Sequence, residues 1–448
     1  DKGIDGLSLL MPRVGFTWGV RDDLTLRGGI GLFSGGNPNV WLANAWSNDG
    51  IASRFTRGTY SNLASIFDGT LPTVVGPRVG GAVPQAQFDE VANSPTTGST
   101  SGVNLIDPNY DQPGEWKLAL GGTWDMPWWG LTADIDYMYT TLENGAIYKD
   151  VSQEIVGSTA AGAPIYANSG LAGDDNLMLT NSNQSGDAHV MSVVMNKSFD
   201  WGMDLMLGYS WTEADDAGSM TSFTASSSFS NLATNDINNP RSATSNYSQK
   251  HRVTMRAAFS REFWGDNRTR FTLMGYYGSG QFGTYTMSSD DVLQDEFSSR
   301  HLLYVPDGPN DPNVAYTANF TPAMQQDFLD WTQKQGLKGG SFVNRNTIGT
   351  KDSSRIDLRI DQEIPLFVDD LKAQAFLKIY NFTNLLNDSW GRQYDARFDS
   401  SSVVTLTGVD AQGRYEYDAF NAGNKSVTTL QGISSVWEIR LGLDIRFR

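Results

Sequence analysis

The amino-acid sequence predicts an all-β protein, a transmembrane antiparallel β-barrel with long extracellular loops. Three observations lead to this prediction. Apolar and polar residues alternate along about eleven segments, as they do in β-strands that bury one face. The connections between the segments alternate between short and long along the whole chain. Tryptophan and tyrosine residues cluster at the segment ends, where a barrel would meet the two membrane interfaces.

The alternation assigns each strand in turn. The predicted strands cover residues 9–20, 24–33, 115–125, 131–141, 188–199, 203–213, 251–263, 270–277, 355–364, 371–382 and 435–448. Short connections of about three to seven residues join them in pairs, and long connections of about 35 to 80 residues separate the pairs. Membrane barrels place short turns in the periplasm and long loops outside the cell. An odd strand count cannot close an ordinary bacterial barrel, so these strands are predicted to form half of a larger one.

The last segment shows the alternation most clearly. From Trp437 to Phe447 every second residue is apolar, and the residues between them are charged or glycine. About ten residues are enough for a tilted strand to cross a bilayer. Four residues have the spacing of the C-terminal assembly signal of outer-membrane barrels, which they resemble: Arg440, Gly442, Ile445 and Phe447. That signal usually ends on the aromatic residue, whereas here Arg448 follows Phe447. This segment alone would also suit a soluble edge strand.

The overall composition excludes several classes of protein. The chain has 448 residues, a net charge of −17 and no cysteine, which excludes a disulfide scaffold and thiolate metal sites. An acidic chain lacks the basic face that nucleic-acid binding needs. No apolar run approaches the roughly 18 residues of a membrane helix. No Ser/His/Asp or Cys/His spacing stands out, so we expect no enzymatic activity.

Charged side chains recur on the polar faces of the later strands. The candidates for the lumen wall are Arg252, Arg256, Arg355, Asp357, Arg359, Asp361, Arg440 and Asp444. An ion in hydrocarbon costs several kcal/mol, so such a face must meet water or a polar plug. The mixed signs favour contact with another protein surface over a selective ion pore.

The long connections carry the candidate ligand contacts. Thr321 and Pro322 have the residue types that begin a helix, and residues 403–406 are predicted to pair with 415–417. Aromatic side chains in loops either stack on a ligand or pack against other loops. The candidates are Trp41, Trp46, Tyr316 and Trp331. A peptide, a glycan and a protein fit this composition equally well as ligands.

Acidic residues in the loops suggest one weak metal site and a membrane contact. Asp307 and Asp311 lie in an Asp/Asn/Gly/Pro-rich turn whose oxygens could hold Ca²⁺, although ordinary turn chemistry also explains them. Acidic pairs elsewhere in the loops could bridge divalent cations to lipopolysaccharide beside the outer-membrane lipid. No other cofactor is expected, because the three histidines are scattered.

Several longer motifs carry a resemblance to a known family. They include MPRVGFTW, PGEWKLALGGTWD, QKHRVTM, YYGSGQFGTYT, RNTIGTKDSSRIDLRIDQEIP and FLKIYNFTNLLNDSWG, spread over nearly the whole chain. With these motifs the chain resembles the C-terminal half of a TonB-dependent outer-membrane receptor, and more narrowly its Oar-like branch. The resemblance implies a 22-stranded barrel whose lumen holds an N-terminal plug domain, with the charged inner face docking that plug.

The resemblance also implies a location and a function. Residues 1–448 would be the later part of the barrel, in the outer membrane of a Gram-negative bacterium. The signal peptide, the plug that contacts TonB and the first barrel half would lie outside this chain. Family members capture scarce ligands with their extracellular loops and import them with inner-membrane energy. The alternative is a surface adhesin or a protein-secretion conduit, since Oar-like members are linked to both.

Overall fold

Eleven long antiparallel strands form one large sheet. The computed structural model describes residues 8–34, 39–48, 73–74, 83–93, 102–127, 129–171, 176–288, 299–365, 371–396, 400–424 and 426–447. The long strands are β1 (Arg13–Arg21), β2 (Leu24–Ser34), β3 (Gly114–Met126), β4 (Leu131–Glu143), β5 (Gly186–Phe199), β6 (Met203–Asp216), β7 (His251–Trp264), β8 (Asn267–Gly278), β9 (Ser353–Ile364), β10 (Leu371–Tyr380) and β11 (Glu438–Phe447). Each pairs with its neighbour in the chain, and the short strand Ala243–Thr244 adds to β6.

The predicted fold class and the eleven predicted strands are confirmed, with shifted ends. The first strand begins at Arg13, not at residue 9. Strand β10 ends at Tyr380 because Asn381 adopts a left-handed backbone with φ of 52°, and a short helix follows. No helix in the described ranges combines the length and the apolar character that crossing a bilayer requires.

The pairing register divides the sheet into an apolar and a polar face. One row of paired residues on the apolar face is Leu205, Ala257, Leu273, Leu358, Ile379 and Ile439. The next row, on the polar face, is Asp204, Ala258, Thr272, Arg359, Lys378 and Arg440. The apolar face is not covered, since Leu441 is 80 % exposed and Leu207 is 52 % exposed. An apolar surface of this extent is typical of contact with lipid.

The hairpin ends carry exposed aromatic rings. Trp129, Trp201 and Trp264 all lie in or beside the short turns with more than half of their surface exposed. Their neighbour Trp128 lies outside the described residues. In the turn after Trp201, Gly202 has φ of +92°, and a Cβ there would lie 2.3 Å from the Ser260 carbonyl oxygen. The turn therefore requires glycine, and it presents the tryptophan at the level expected for a membrane interface.

The long connections, which show little periodicity in sequence, contain ordered elements. Their other strands are Thr73–Val74, Val83–Pro84, Asn104–Ile106, Ala146–Asp150, Gln153–Ser158, Pro164–Asn168, Leu177–Asn181, Phe282–Ser288, His301–Leu302, Tyr304–Val305, Val314–Tyr316, Ser341–Phe342, Ile348–Gly349, Tyr394–Ala396, Ser400–Val409, Tyr415–Phe420 and Thr428–Leu430. Their helices are Asn39–Leu42, Asn44–Ser47, Gln85–Ala92, Ala225–Ser230, Pro322–Lys334 and Phe382–Leu386, with 3₁₀ turns at Ala422–Asn424 and Ile433–Ser435. The predicted small hairpin is confirmed as the pairing of Ser400–Val409 with Tyr415–Phe420.

These elements pack into a cap at the loop end of the sheet, around two hydrophobic cores. The larger core includes Tyr285, Phe328, Val403 and Tyr417, and the smaller one is built around residues such as Tyr148. The predicted helix is confirmed, because the Thr321 hydroxyl accepts a hydrogen bond from Met324 N and the helix buries Phe328. Apolar burial therefore holds the loops in a folded module.

Hydrogen bonds join all five long connections within the cap. Four backbone or side-chain bonds of this kind are Trp41 Nε1 to Ser222 O, Asp150 N to Asn238 Oδ1, Ala160 N to Gly413 O, and Leu302 N to Asn235 Oδ1. Each links two different connections, and their lengths are between 2.7 and 3.0 Å. The cap is thus one interlocked layer.

Candidate ligand-binding cap and charged inner face

Ion pairs run along the polar face of the sheet. Arg27 binds the Asp136 carboxylate through two nitrogens, and its Nη2 lies 2.8 Å from each carboxylate oxygen. Arg355 Nε lies 2.7 Å from Asp357 Oδ1. Most of these side chains are partly exposed, so each pair contributes little stability. Their number nevertheless makes this face a polar wall that accepts water or protein but not lipid.

The eight predicted lumen residues all lie on this face. Arg359 is the most connected, since it binds Asp361 at 2.6 Å and reaches Asp444 on β11 at 3.6 Å. Arg440 pairs with Glu438 at 2.6 Å, and Arg252 lies over the ring of Tyr276. The register puts Arg256, Met274 and Asp357 in one row on the same side. Contact with a plug remains a prediction.

Packing provides a structural role for one residue of the predicted assembly signal. The ring of Phe376 covers Gly442, so a Cβ at Gly442 would lie 2.3 Å from Phe376 Cζ. Arg359 also lies over this ring, with its Cζ 4.3 Å from the ring centroid. Ile445 points outward and is exposed. The side chain of Phe447 lies outside the described residues, and recognition by assembly machinery stays a prediction.

A polar cleft lies between three of the long connections in the cap. It has a volume of about 530 Å³ and is lined by parts of residues 161–164, 233–243 and 302–345. Its lining residues include Asn235, Asp236, Arg241 and Phe342. Amide, carboxylate and guanidinium groups beside an aromatic ring suit a polar ligand. Sequence analysis did not find this cleft, because its residues come from distant parts of the chain.

A buried ion pair anchors the cleft to the sheet. Arg345 Nη2 lies 2.9 Å from Asp216 Oδ1, and it also donates to the carbonyl oxygens of Asp216 and Ala243. Only 5 % of the Arg345 side chain and 14 % of the Asp216 side chain are exposed. Asp216 ends β6, so this pair fixes the cap to the end of a membrane strand. Nothing in the sequence pattern marks a pair separated by 129 positions.

The candidate aromatic contacts have different surroundings. Trp46 is 55 % exposed, whereas Trp41 is partly buried and donates its indole N–H within the cap. Trp331 is buried against Tyr285 and Phe328, and Tyr316 packs on the same core. Burial raises the pKa of the Tyr316 hydroxyl. The packing role fits Trp331 and Tyr316, and Trp46 is the one of the four with more than half of its surface open to a ligand.

The predicted Ca²⁺ turn is held by its own hydrogen bonds. The buried Asp311 carboxylate accepts from Asp307 N at 2.7 Å, from Asn313 N at 2.8 Å and from the Tyr304 hydroxyl. This is the turn chemistry named as the alternative. Within the described ranges no group of three or more His, Cys, Asp or Glu side chains is placed to hold a metal ion.

Sequence comparison identifies the family of this barrel. Residues 7–415 match the model of the outer membrane beta barrel domain. The chain belongs to this family. It is therefore a β-barrel protein of the outer membrane, with its exposed apolar face toward the lipid. A search among curated proteins found no match.

Several solved structures are similar at low identity. The outer membrane transporter YddB from Escherichia coli aligns with a TM-score of 0.45 and 10 % identity, covering 96 % of this chain and 39 % of YddB. The FrpB iron transporter from Neisseria meningitidis (F3-3 variant) aligns with a TM-score of 0.41 and 10 % identity, covering 97 % of this chain and 38 % of FrpB. The siderophore receptor PirA from Acinetobacter baumannii aligns with a TM-score of 0.37 and 10 % identity, covering 84 % of this chain and 37 % of PirA. The chain thus spans less than two fifths of the length of these proteins.

Proposed function

We propose that this chain is the later part of the barrel of a TonB-dependent receptor of the Oar-like branch, acting as a transporter. The observation that carries the proposal is the open sheet. Among the described residues, β1 pairs only with β2 and β11 pairs only with β10. Unpaired backbone groups in a bilayer cost roughly several kcal/mol each, so an open sheet is what part of a barrel would show, and in this proposal further strands close it.

The charged inner face supports a plugged lumen. Its arginines and carboxylates already pair with one another within the wall, as in Arg27–Asp136 and Arg359–Asp361. Such a neutralised, hydrogen-bonding wall suits a folded polar domain better than an ion-selective path. In this proposal the plug, the signal peptide and the first barrel half belong to other parts of the protein. TonB acts through that plug, and the barrel has no catalytic role.

The cap supplies the ligand-capturing surface in this proposal. The 530 Å³ cleft and exposed Trp46 are the candidate contacts, and a peptide, a glycan and a protein remain candidate ligands. The interlocked cap also favours the second candidate function, a surface adhesin or secretion conduit, because a rigid surface binds a partner without rearranging. Ligand accumulation that occurs with TonB and is lost without it supports the transporter. Binding without accumulation even in a strain that has TonB supports the adhesin.

The intact mass of the mature protein, extracted from outer membranes and sequenced from its N-terminus, tests the proposal. We expect a mass of about twice the 49.1 kDa of this chain, beginning with a plug-like segment. A mature protein of about 49.1 kDa would be too small for a plug and a closed 22-stranded barrel. That result would overturn the TonB mechanism and leave a passive channel or an adhesin.

A further inference from the structure

A groove of about 500 Å³ lies on the outward face of the sheet, where β7, β8 and β9 meet the last long connection. Its floor is formed by Met255, Gly275 and Ile356. The register places these three residues in one row across the strands with Leu207, which is exposed on the apolar face. The groove therefore opens toward the lipid rather than toward the lumen.

The groove changes from apolar to polar toward the loop end of the sheet. Along β9, Ile356 lies deepest, Ser354 follows, and Asp352 lies just beyond the strand. The Tyr277 hydroxyl donates to Asp352 Oδ2 at 2.6 Å. A tyrosine with an apolar ring below and a polar hydroxyl above is typical of the membrane interface. The floor thus lies at the depth of acyl chains, and the upper rim lies at the depth of head groups.

The last long connection adds an aromatic and a cationic side chain to the rim. Trp390 lines the groove and is 53 % exposed. Arg392 also lines it and donates Nε to the Asp388 carbonyl oxygen at 3.2 Å. In the part of the chain that the structure describes, no carboxylate forms a salt bridge with Arg392. A second cation, Lys351, lies over the ring of the lining residue Tyr394.

We propose that this groove binds one phosphorylated glycolipid of the outer leaflet, a lipopolysaccharide. An apolar groove that continues the lipid-facing surface takes an acyl chain, since leaving it unfilled forfeits contacts. A phosphate suits the guanidinium of Arg392, which has no salt bridge among the described residues and is able to bind two oxygens at once. The exposed face of Trp390 suits a sugar ring, which an ordinary phospholipid lacks. The site is independent of the proposed transport function.

Three variants of the full protein test the site. Ser354→Trp fills the groove from an exposed position on its wall, and Arg392→Ala removes the rim cation. Val193→Trp is the matched control, because Val193 lies outside the groove in the same outward row as Ser354. That row is Val193, Tyr209, Val253, Tyr277 and Ser354. Each protein is delipidated, mixed with purified lipopolysaccharide lacking O-antigen, and examined by native mass spectrometry.

We expect one tightly bound glycolipid on the wild type and on Val193→Trp. Each groove variant should bind it roughly tenfold more weakly, the scale of one charge-assisted hydrogen bond or a lost acyl contact. Equal retention by Ser354→Trp would overturn the site. Equal binding of phosphatidylglycerol would overturn the choice of a glycolipid, and displacement by excess inorganic phosphate would show that the acyl chain contributes nothing.

Discussion

Replacing Arg345 by methionine should loosen the cap where it meets the sheet. The change removes two hydrogen bonds to Asp216 at the end of β6 and one to the carbonyl oxygen of Ala243, and it leaves the nearly buried Asp216 carboxylate without its counter-ion. Breaking a buried ion pair on one side costs about 3–5 kcal/mol. We expect a loss of about 3 kcal/mol, at the lower end of this range. Nη1 of Arg345 is buried without a hydrogen-bond partner among the described residues, so removing it relieves a desolvation cost and offsets part of the loss.

Native-state hydrogen exchange in detergent measures this effect. A loss of about 3 kcal/mol in local stability corresponds to a roughly hundredfold loss of amide protection. We expect this loss in residues 341–349 and 243–245, which surround the ion pair. The control is Arg414→Met, which breaks the Arg414–Asp410 pair in the same cap. Arg414 is 40 % exposed, and the Asp410 carboxylate keeps its bonds from backbone N–H groups, so we expect a much smaller loss of amide protection than in Arg345→Met.

The double variant Arg345→Met/Asp216→Asn gives a second check. Removing both charges should recover much of the lost protection, because the uncompensated carboxylate carries most of the penalty. Unchanged protection in Arg345→Met, or an equal loss in Arg414→Met, would refute the view that this pair anchors the cap.

Three further predictions concern the two faces and the cap. Leu441→Arg should cost about 2–4 kcal/mol in lipid vesicles, because Leu441 points into hydrocarbon. Reversing the charges of Arg355, Arg359 and Asp361 together should loosen the proposed plug, so that antibiotic leakage into cells rises. Burial raises the pKa of Tyr110 to about 12, so cap stability should fall between about pH 10 and 12 in near-ultraviolet circular dichroism. In that window the unfolded tyrosine has lost its proton and the folded one has not.

Two of these predictions have a matched control variant, and the third has a result that would contradict it. Gln374→Arg introduces the same charge on the polar face, beside Asp444, and should be tolerated. Unchanged leakage and detergent sensitivity in the charge-reversal variant would contradict a docked plug. Tyr110→Phe should reduce the alkaline loss of stability, whereas Tyr247→Phe should not, because Tyr247 is 69 % exposed. An identical pH profile for both tyrosine variants would contradict the burial argument.

The sequence alone determined the membrane sheet. Period-two alternation depends only on the identity of neighbouring residues, so segments such as Leu131–Glu143 and Met203–Asp216 are visible without any tertiary information. The face of each charged residue follows from the same alternation. The charged residues of β9 lie on the polar side as expected: Arg355, Asp357, Arg359 and Asp361. The helix after Thr321 was also predictable, because its cap and its apolar spacing are local.

Only the tertiary structure decided what the long connections do. The cap is held by contacts between distant segments, such as Ala160 with Gly413 and Arg345 with Asp216, and no local pattern encodes them. The roles of the loop aromatics were open for the same reason, and burial then distinguished Trp331 from Trp46. The cleft and the outward groove likewise exist only once strands and loops meet. Local periodicity fixes a strand and its faces, whereas a site made by several segments depends on long-range packing.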